Sequence, residues 1–554
     1  MVEERGRRGM LVDANEVSNR DGLNCDICVV GAGAAGITLA KSFLGSDVNV
    51  IVLEAGSTKA DMDSQKVYSG KNVGLEYYEL MFSRMRMLGG STVHWGGWCR
   101  ALNEIDFEKR EPIPMSGWPF SKAELDAYYE KAHELCELGP YNYDVAFWEK
   151  HRGAPRIPLD STKIITEILQ TSSPTDFGLE YRKELEASKN VRIILNANVV
   201  QLNTDKDHKK LTGVEVAKYN SGKFTVNAKY TVLAAGGIEN PRLLLNSRQK
   251  NQQGLGNQYD HVGRYFMEHL VVNNPAEIIF SSPGIIPSLY VSKTSDVSRL
   301  GNHTAHKVPA WGTLKLKDSV IRDEKLINMT AWLDHPPLSE KELAIESAGE
   351  IYEGIWKYRK IVDDFSEHLN NVINDIDGLV SYAGNKVFSD DEEYNRFGTQ
   401  RSGVCGMSFI MEQVPNKNSR VYLDEDEKDR FGNSRVILDW QITDVEKDSI
   451  KRYMELFGAA LGEAGVGRLK LNPSDLELGY GDALLGAHHH IGTTKMHKSE
   501  KLGVVDENCE LHEVRNLFIA GSSVFPTGGL WNPTLTIVAM SLRLADHLKE
   551  RLVV

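Results

Sequence analysis

The stretch Asp26-Ile-Cys-Val-Val-Gly31-Ala-Gly33-Ala-Ala-Gly36 constrains the fold of this chain more than any other. An apolar run, Ile27 to Val30, enters a turn of three glycines spaced Gly31-x-Gly33-x-x-Gly36. The apolar pattern then continues at helical spacing from Ile37 to Phe43. Strand, tight turn and helix in that order open a parallel β–α–β unit. Gly31 permits the turn, Gly33 lets a phosphate reach the backbone, and Gly36 lets the helix pack on the strand. The helix N-terminus at Ala34 then faces a pyrophosphate. Val48 to Leu53 reads as the next strand, with Glu54 and Ala55 at its end. An acid in that position binds ribose hydroxyls and disfavours a 2′-phosphate, which argues for a dinucleotide other than NADP.

Bulk properties narrow the class. The chain has 554 residues, enough for roughly two to four domain-sized units. A net charge of −13 argues against a nucleic-acid binder. No uninterrupted apolar run is long enough to span a bilayer. Met1 to Gly22 is polar and reads as an arm without a signal-peptide core, and no apolar segment follows Arg7-Arg8 directly. A cytoplasmic location is expected; periplasmic export alongside a partner carrying the signal is the alternative. Six cysteines do not make a disulfide scaffold. Cys25-x-x-Cys28 lies on the strand entering the glycine turn with no second pair to complete a zinc site, so both read as core thiols.

Four further motifs carry chemistry. Tyr230 to Gly237 is a strand ending in small residues, Ala234-Ala235-Gly-Gly, with a helix starting near Glu239-Asn-Pro241. Met87 to Gly97 is an irregular loop whose paired glycines, Gly89 and Gly90, let backbone approach a flat ring beside Thr92 and His94. The His94 imidazole is either a hydrogen-bonded structural group or the attachment point for a flavin methyl carbon. His488-His489-His490 are consecutive, so their rings point in different directions, and no carboxylate stands at i+3 or i+4. No metal site is expected there, whereas one of the three suits a general base near neutral pH. Asn532-Pro533-Thr534 opens the last helix, with Asn at the N-cap and Pro at the first helical position. That N-terminus carries partial positive charge suited to an anionic reduced flavin. Asn532 either caps the helix or binds a substrate oxygen.

These blocks together resemble the glucose–methanol–choline (GMC) oxidoreductases, above all the branch of gluconate and fructose dehydrogenase large subunits and the pyranose oxidases. The matching stretches are Asp26–Gly56, Arg86–Arg100, Gly117–Tyr129, Ala234–Leu245, Val262–His269, Pro415–Arg420, His489–Met496 and Asn516–His547. The resemblance implies an α/β Rossmann-like FAD-binding domain interleaved with an α+β substrate domain built on an antiparallel sheet. It divides the chain into FAD-binding segments at 23–110, 191–272 and 481–554, a cap segment at 111–190 and a substrate domain at 273–480. FAD would lie on Gly31, Gly33, Ala34, Gly36, Glu54, Ala55, Gly89, Gly90, Thr92, Ala235, Gly521, Asn532, Pro533 and Thr534, with a backbone contact near Val200 and a covalent link at His94 in some members.

The same resemblance makes His489 the catalytic base and Asn532 its partner. It implies oxidation of a sugar, glycoside or polyol hydroxyl by hydride transfer to flavin N5. A non-sugar alcohol, or a lyase with redox-silent FAD, is the alternative. Oxygen, a quinone or a cytochrome is the implied acceptor, and a small accessory subunit a further partner. Trp311, Trp332, Trp356 and Trp440 in the substrate domain, with Trp95, Trp98 and Trp531 near the cofactor, are either sugar-stacking or core residues.

Overall fold

The computed structural model describes residues 10–18, 22–159, 162–172, 175–248, 252–282, 285, 288–290, 309–334, 403–471 and 484–553. Two large sheets organise them. The first runs in the spatial order Leu11–Asp13, Val191–Leu195, Val50–Leu53, Leu23–Val30, Lys223–Leu233, Leu211–Ala217, Asn198–Thr204. Its first five strands pair in parallel, and its last two are antiparallel. Leu517–Ile519 adds in parallel beside Thr231 to Leu233. Ile27, Cys28 and Val29 are wholly buried, as a central parallel strand covered on both faces requires. Residues 11–13 fall in the segment expected as an arm, yet they form the edge strand of this sheet.

Helix Ala34–Ser42 follows the glycine turn and packs on the C-terminal helix Pro533–Val553, which also contacts helix Ala123–Leu135. The C-terminal helix buries Leu535, Val538, Leu544, Ala545 and Leu548. Leu544 is buried on this face, whereas Leu542 is half-buried.

The second sheet is antiparallel, in the order Gly467–Leu471, Leu270–Phe280, Val404–Met411, Met329–Asp334, Ala310–Leu316, Ile164–Thr171, Trp98–Cys99. Its two faces alternate residue by residue. Leu169, Trp311, Trp332 and Ile410 join the core of the nucleotide sheet, whereas Ile168, Leu314, Ala331 and Phe409 join a second core. That second core is closed by helix Asp444–Glu463, which begins with a Thr443–Glu446 capping box. One face of the substrate sheet is therefore pressed against the nucleotide half.

Candidate active site

Ten stretches of chain converge on one cleft of about 520 Å³, from the turn at residues 30–35 to the start of the C-terminal helix. The turn is built for close approach. Gly31 has φ +105°, and a Cβ there would stand 2.6 Å from the Ala234 carbonyl oxygen. Gly33 caps the following helix without any side-chain hydrogen bond, so the first-turn N–H groups stay open to a ligand. Gly31, Gly33, Ala34, Glu54, Ala55, Gly90, Thr92, His94, Val200, Ala235, Gly521, Asn532, Pro533, Thr534 and His489 all line the cleft.

Two expected positions do not line it. Gly36 lies beneath the turn, where a Cβ would meet the Gly31 carbonyl oxygen at 1.9 Å. Gly89 (φ +97°) packs against Asp176 and Gly178, and its N–H donates to the Ala32 carbonyl oxygen at 2.9 Å. Both glycines shape the turn from behind.

Glu54 accepts from the Ala32 N–H at 2.9 Å and the Gly56 N–H at 2.8 Å. Burial raises its pKa, and these backbone donors oppose the rise. Val200 stands at an irregularity between the Val199 and Gln201 pairs, so it has no cross-strand partner. Its carbonyl accepts from Asn433 Nδ2 at 3.0 Å. The Thr92 hydroxyl donates to the Gly89 carbonyl at 2.6 Å. Arg84, Glu239, Arg242 and Asp429 form a buried ion network along one wall, with Arg84–Glu239 at 2.8 Å and Arg242–Glu239 at 2.9 Å. The open helix end, the glycine cradle and the acid at the second strand fit the pyrophosphate and ribose of FAD.

The three histidines have three different surroundings. His488 takes a left-handed backbone (φ +59°) and stacks on Tyr78 at 3.9 Å between ring centroids. His490 Nε2 is 2.9 Å from the Tyr77 hydroxyl, which donates in turn to Glu268. His489 Nδ1 lies 3.0 Å from His269 Nδ1, while its Nε2 has no hydrogen-bond partner among the described residues. Burial, then the neighbouring His269, His490 and His488, hold His489 well below the ordinary histidine pKa, so it is neutral.

The Asn532 amide also makes no side-chain hydrogen bond among the described residues, and Pro533 is the first helical residue. His94 is exposed, and its ring likewise has no hydrogen bond among them. Trp95 lines the cleft, whereas Trp98, Trp311 and Trp332 stack edge to face behind it. Trp440 and Trp531 are buried core residues, and Trp356 lies outside the described residues.

Glu268, His269 and Tyr77 were not singled out from the sequence. Glu268 Oε2 accepts from the backbone N–H of Ala487 at 3.1 Å and of His489 at 2.8 Å. Burial pushes the Glu268 pKa up to about 7, against the pull of Tyr77 and these backbone donors. The Glu-His pair stood inside the quoted Val262–His269 stretch. Nothing local assigned it a role, because its partners are 145 to 260 residues away in the chain.

Comparison with known proteins agrees with this geometry. Two family models described as GMC oxidoreductase match residues 181–271 and 415–541. The 2-methyl-1,2-propanediol dehydrogenase of Mycolicibacterium austroafricanum is 22% identical over 95% of this chain and 95% of its own. The fructose dehydrogenase large subunit of Gluconobacter japonicus is 22% identical over 95% of this chain and 97% of its own. The crystal structure of pyridoxine 4-oxidase from Mesorbium loti superposes with a TM-score of 0.53 at 17% identity, covering 95% of this chain and 99% of that one.

Proposed function

We propose, from the premise that this chain belongs to the GMC oxidoreductases and binds FAD, that it oxidises a hydroxyl of a sugar, glycoside or related polyol to a carbonyl. The observation that carries the reading is a pair of groups in one cleft without a hydrogen-bond partner among the described residues, His489 Nε2 and the Asn532 amide, with the glycine turn lining the same cleft. Bound FAD supplies a two-electron acceptor that takes hydride at N5. The substrate hydroxyl sits between His489 and Asn532, with its C–H turned to the flavin. His489 Nε2 accepts the hydroxyl proton, and the carbon–oxygen bond becomes a double bond as the hydride leaves. Asn532 holds the substrate oxygen, and the N-terminus of helix Pro533–Val553 offers partial positive charge to the reduced cofactor. Rigid placement of the reacting atoms does most of the work.

Relatives acting on fructose and on a branched diol support a polyhydroxylated substrate, and the diol supports a small non-sugar alcohol as the second reading. The free ring of His94 suits it to attachment of the flavin. Flavin that stays with acid-precipitated wild-type protein but not with His94→Ala supports that link, and flavin released from the wild type overturns it. Among the described residues no helix is long and apolar enough to cross a membrane.

The deciding experiment mixes the yellow holoenzyme anaerobically with D-glucose, D-fructose, a methyl glucoside, 1,2-propanediol and ethanol while following flavin absorbance. Bleaching by a sugar or glycoside supports the first reading. Bleaching by the diol or ethanol alone supports the second. Flavin that dithionite reduces and no alcohol bleaches overturns both. Admitting oxygen to the bleached enzyme then separates an oxidase from a dehydrogenase.

A further inference from the structure

His269 and His489 meet ring to ring, with their Nδ1 atoms 3.0 Å apart, and one shared proton lies between them. The other nitrogen of His269, Nε2, is 2.8 Å from the carbonyl oxygen of Gly529. A carbonyl oxygen only accepts, so His269 Nε2 carries a proton and donates it. His269 is fully buried, and burial drives its pKa down to about 4, so its ring is neutral. A neutral ring protonated at Nε2 has a bare Nδ1. The proton between the rings therefore belongs to His489 Nδ1, which leaves His489 Nε2 as the bare nitrogen.

We propose that His269 is a positioning residue: it locks His489 in the Nδ1–H tautomer and ties that ring, through Gly529, to the loop carrying Asn532. The inference rests on His489 being the base. His269 sits at the end of the fixed stretch Phe266 to Leu270, just before the substrate sheet. Met267 N–H donates to the Ile491 carbonyl at 3.0 Å, and the Ile491 N–H returns the bond. The adjoining Glu268 carboxylate holds the His489 backbone N–H. One dipeptide thus grips His489 at its backbone and at its ring. Through Gly529 it also reaches the segment that ends in Asn532. A free neutral imidazole populates both tautomers, and only one of them presents a lone pair at Nε2. The groups facing His489 are His269, His488 and His490, and among them His269 alone is hydrogen-bonded to its ring.

The test uses full-length FAD-loaded enzyme, wild type and the variants His269→Gln, His269→Leu and His489→Ala. A glutamine can accept from His489 Nδ1–H and donate to the Gly529 carbonyl; a leucine can do neither. Nitrogen-15 histidine spectra, with the His489 signals identified by their loss in His489→Ala, read the tautomer directly. The wild type and His269→Gln should show His489 protonated at Nδ1, and His269→Leu a mixture. The alcohol that bleaches the wild-type flavin fastest should reduce His269→Leu ~10–100-fold more slowly and His269→Gln within about tenfold of the wild type. The acid limb of that rate should move to lower pH in His269→Leu, because charged His489 loses the acceptor at Nδ1.

A wild-type His489 protonated at Nε2 overturns the proposal, and that spectrum decides even where His269→Leu fails to fold. Equal slowing in the Gln and Leu variants, with tautomer and acid limb unmoved, reduces His269 to packing and also overturns it. Normal flavin reduction by His489→Ala removes the base assignment instead, while the spectra still decide the lock.

Discussion

A lysine ammonium with no hydrogen bond is costly to bury. Lys495 is 1% exposed, its Nζ has no hydrogen-bond partner among the described residues, and it lies 4.8 Å from the Tyr265 ring centre. Burial pulls its pKa down from 10.5 to about 8. Between those values the unfolded chain binds more protons than the folded one, so stability should rise with pH across that window, by about 3 kcal/mol at most. Lys495→Met should remove the rise and stabilise the protein at pH 7; denaturant melts of both proteins from pH 7 to 10.5 check it, and parallel curves contradict it. Glu268 acts in the opposite direction. Its pKa climbs from 4.5 to about 7, so the folded state binds the extra proton and stability should fall as pH rises through that range. Glu268→Gln should flatten this fall in denaturant melts run from pH 4.5 to 7. His489→Ala is a third case: it should keep FAD absorbance while flavin reduction slows ~100-fold or more, measured by anaerobic stopped flow.

Among the elements, the glycine turn separates holding the fold from holding the cofactor. A Cβ on Gly33 would find no atom closer than 4.0 Å, whereas one on Gly36 would sit 1.9 Å from the Gly31 carbonyl oxygen. Gly33→Ala should therefore melt like the wild-type apoprotein yet bind FAD weakly, because its methyl enters the space left for phosphate. Gly36→Ala should lose ~1–3 kcal/mol in the apoprotein itself. Thermal melts and flavin titration separate the two, and equal melting of both apoproteins contradicts the distinction. The turn was legible in the sequence because its glycine spacing and the Gly36–Gly31 contact are local, although Ala234 closes the space at Gly31 from far along the chain. The Asn532–Pro533 helix start was legible for the same reason. Glu54, His489 and Asn532 line the cleft, whereas Gly89 packs on residues 176–178, a contact that no local pattern marks. His269 was invisible as a partner of His489 because a ring-to-ring contact 220 positions apart leaves no periodic trace. The strand order of the antiparallel sheet was hidden likewise, since its neighbours are far apart in sequence.

At the scale of the whole molecule, a buried ion pair joins the two halves. Arg110, close after the Glu104–Phe107 turn of helix, makes two 2.6 Å bonds to Glu412 at the end of strand Val404–Met411. The Asn328 side chain bridges toward Asp106 at 2.9 Å, and burial, then the Glu412 charge, raise the Asp106 pKa to about 6. Glu412→Ala strands the Arg110 charge and should cost ~3–5 kcal/mol, whereas Arg110→Met with Glu412→Leu should cost much less. Denaturant unfolding of the single and double variants checks the ordering. The cleft itself is stitched from stretches between Val30 and Ile537. On the ribosome the glycine turn is made early, whereas strand Leu517–Ile519 and helix Pro533–Val553 emerge long after it. Until they arrive, the nascent chain lacks one wall of the cavity and leaves the flank of Thr231 to Leu233 unpaired. A ribosome that stalls before Leu517 therefore leaves an exposed sheet edge for chaperones and proteases to find.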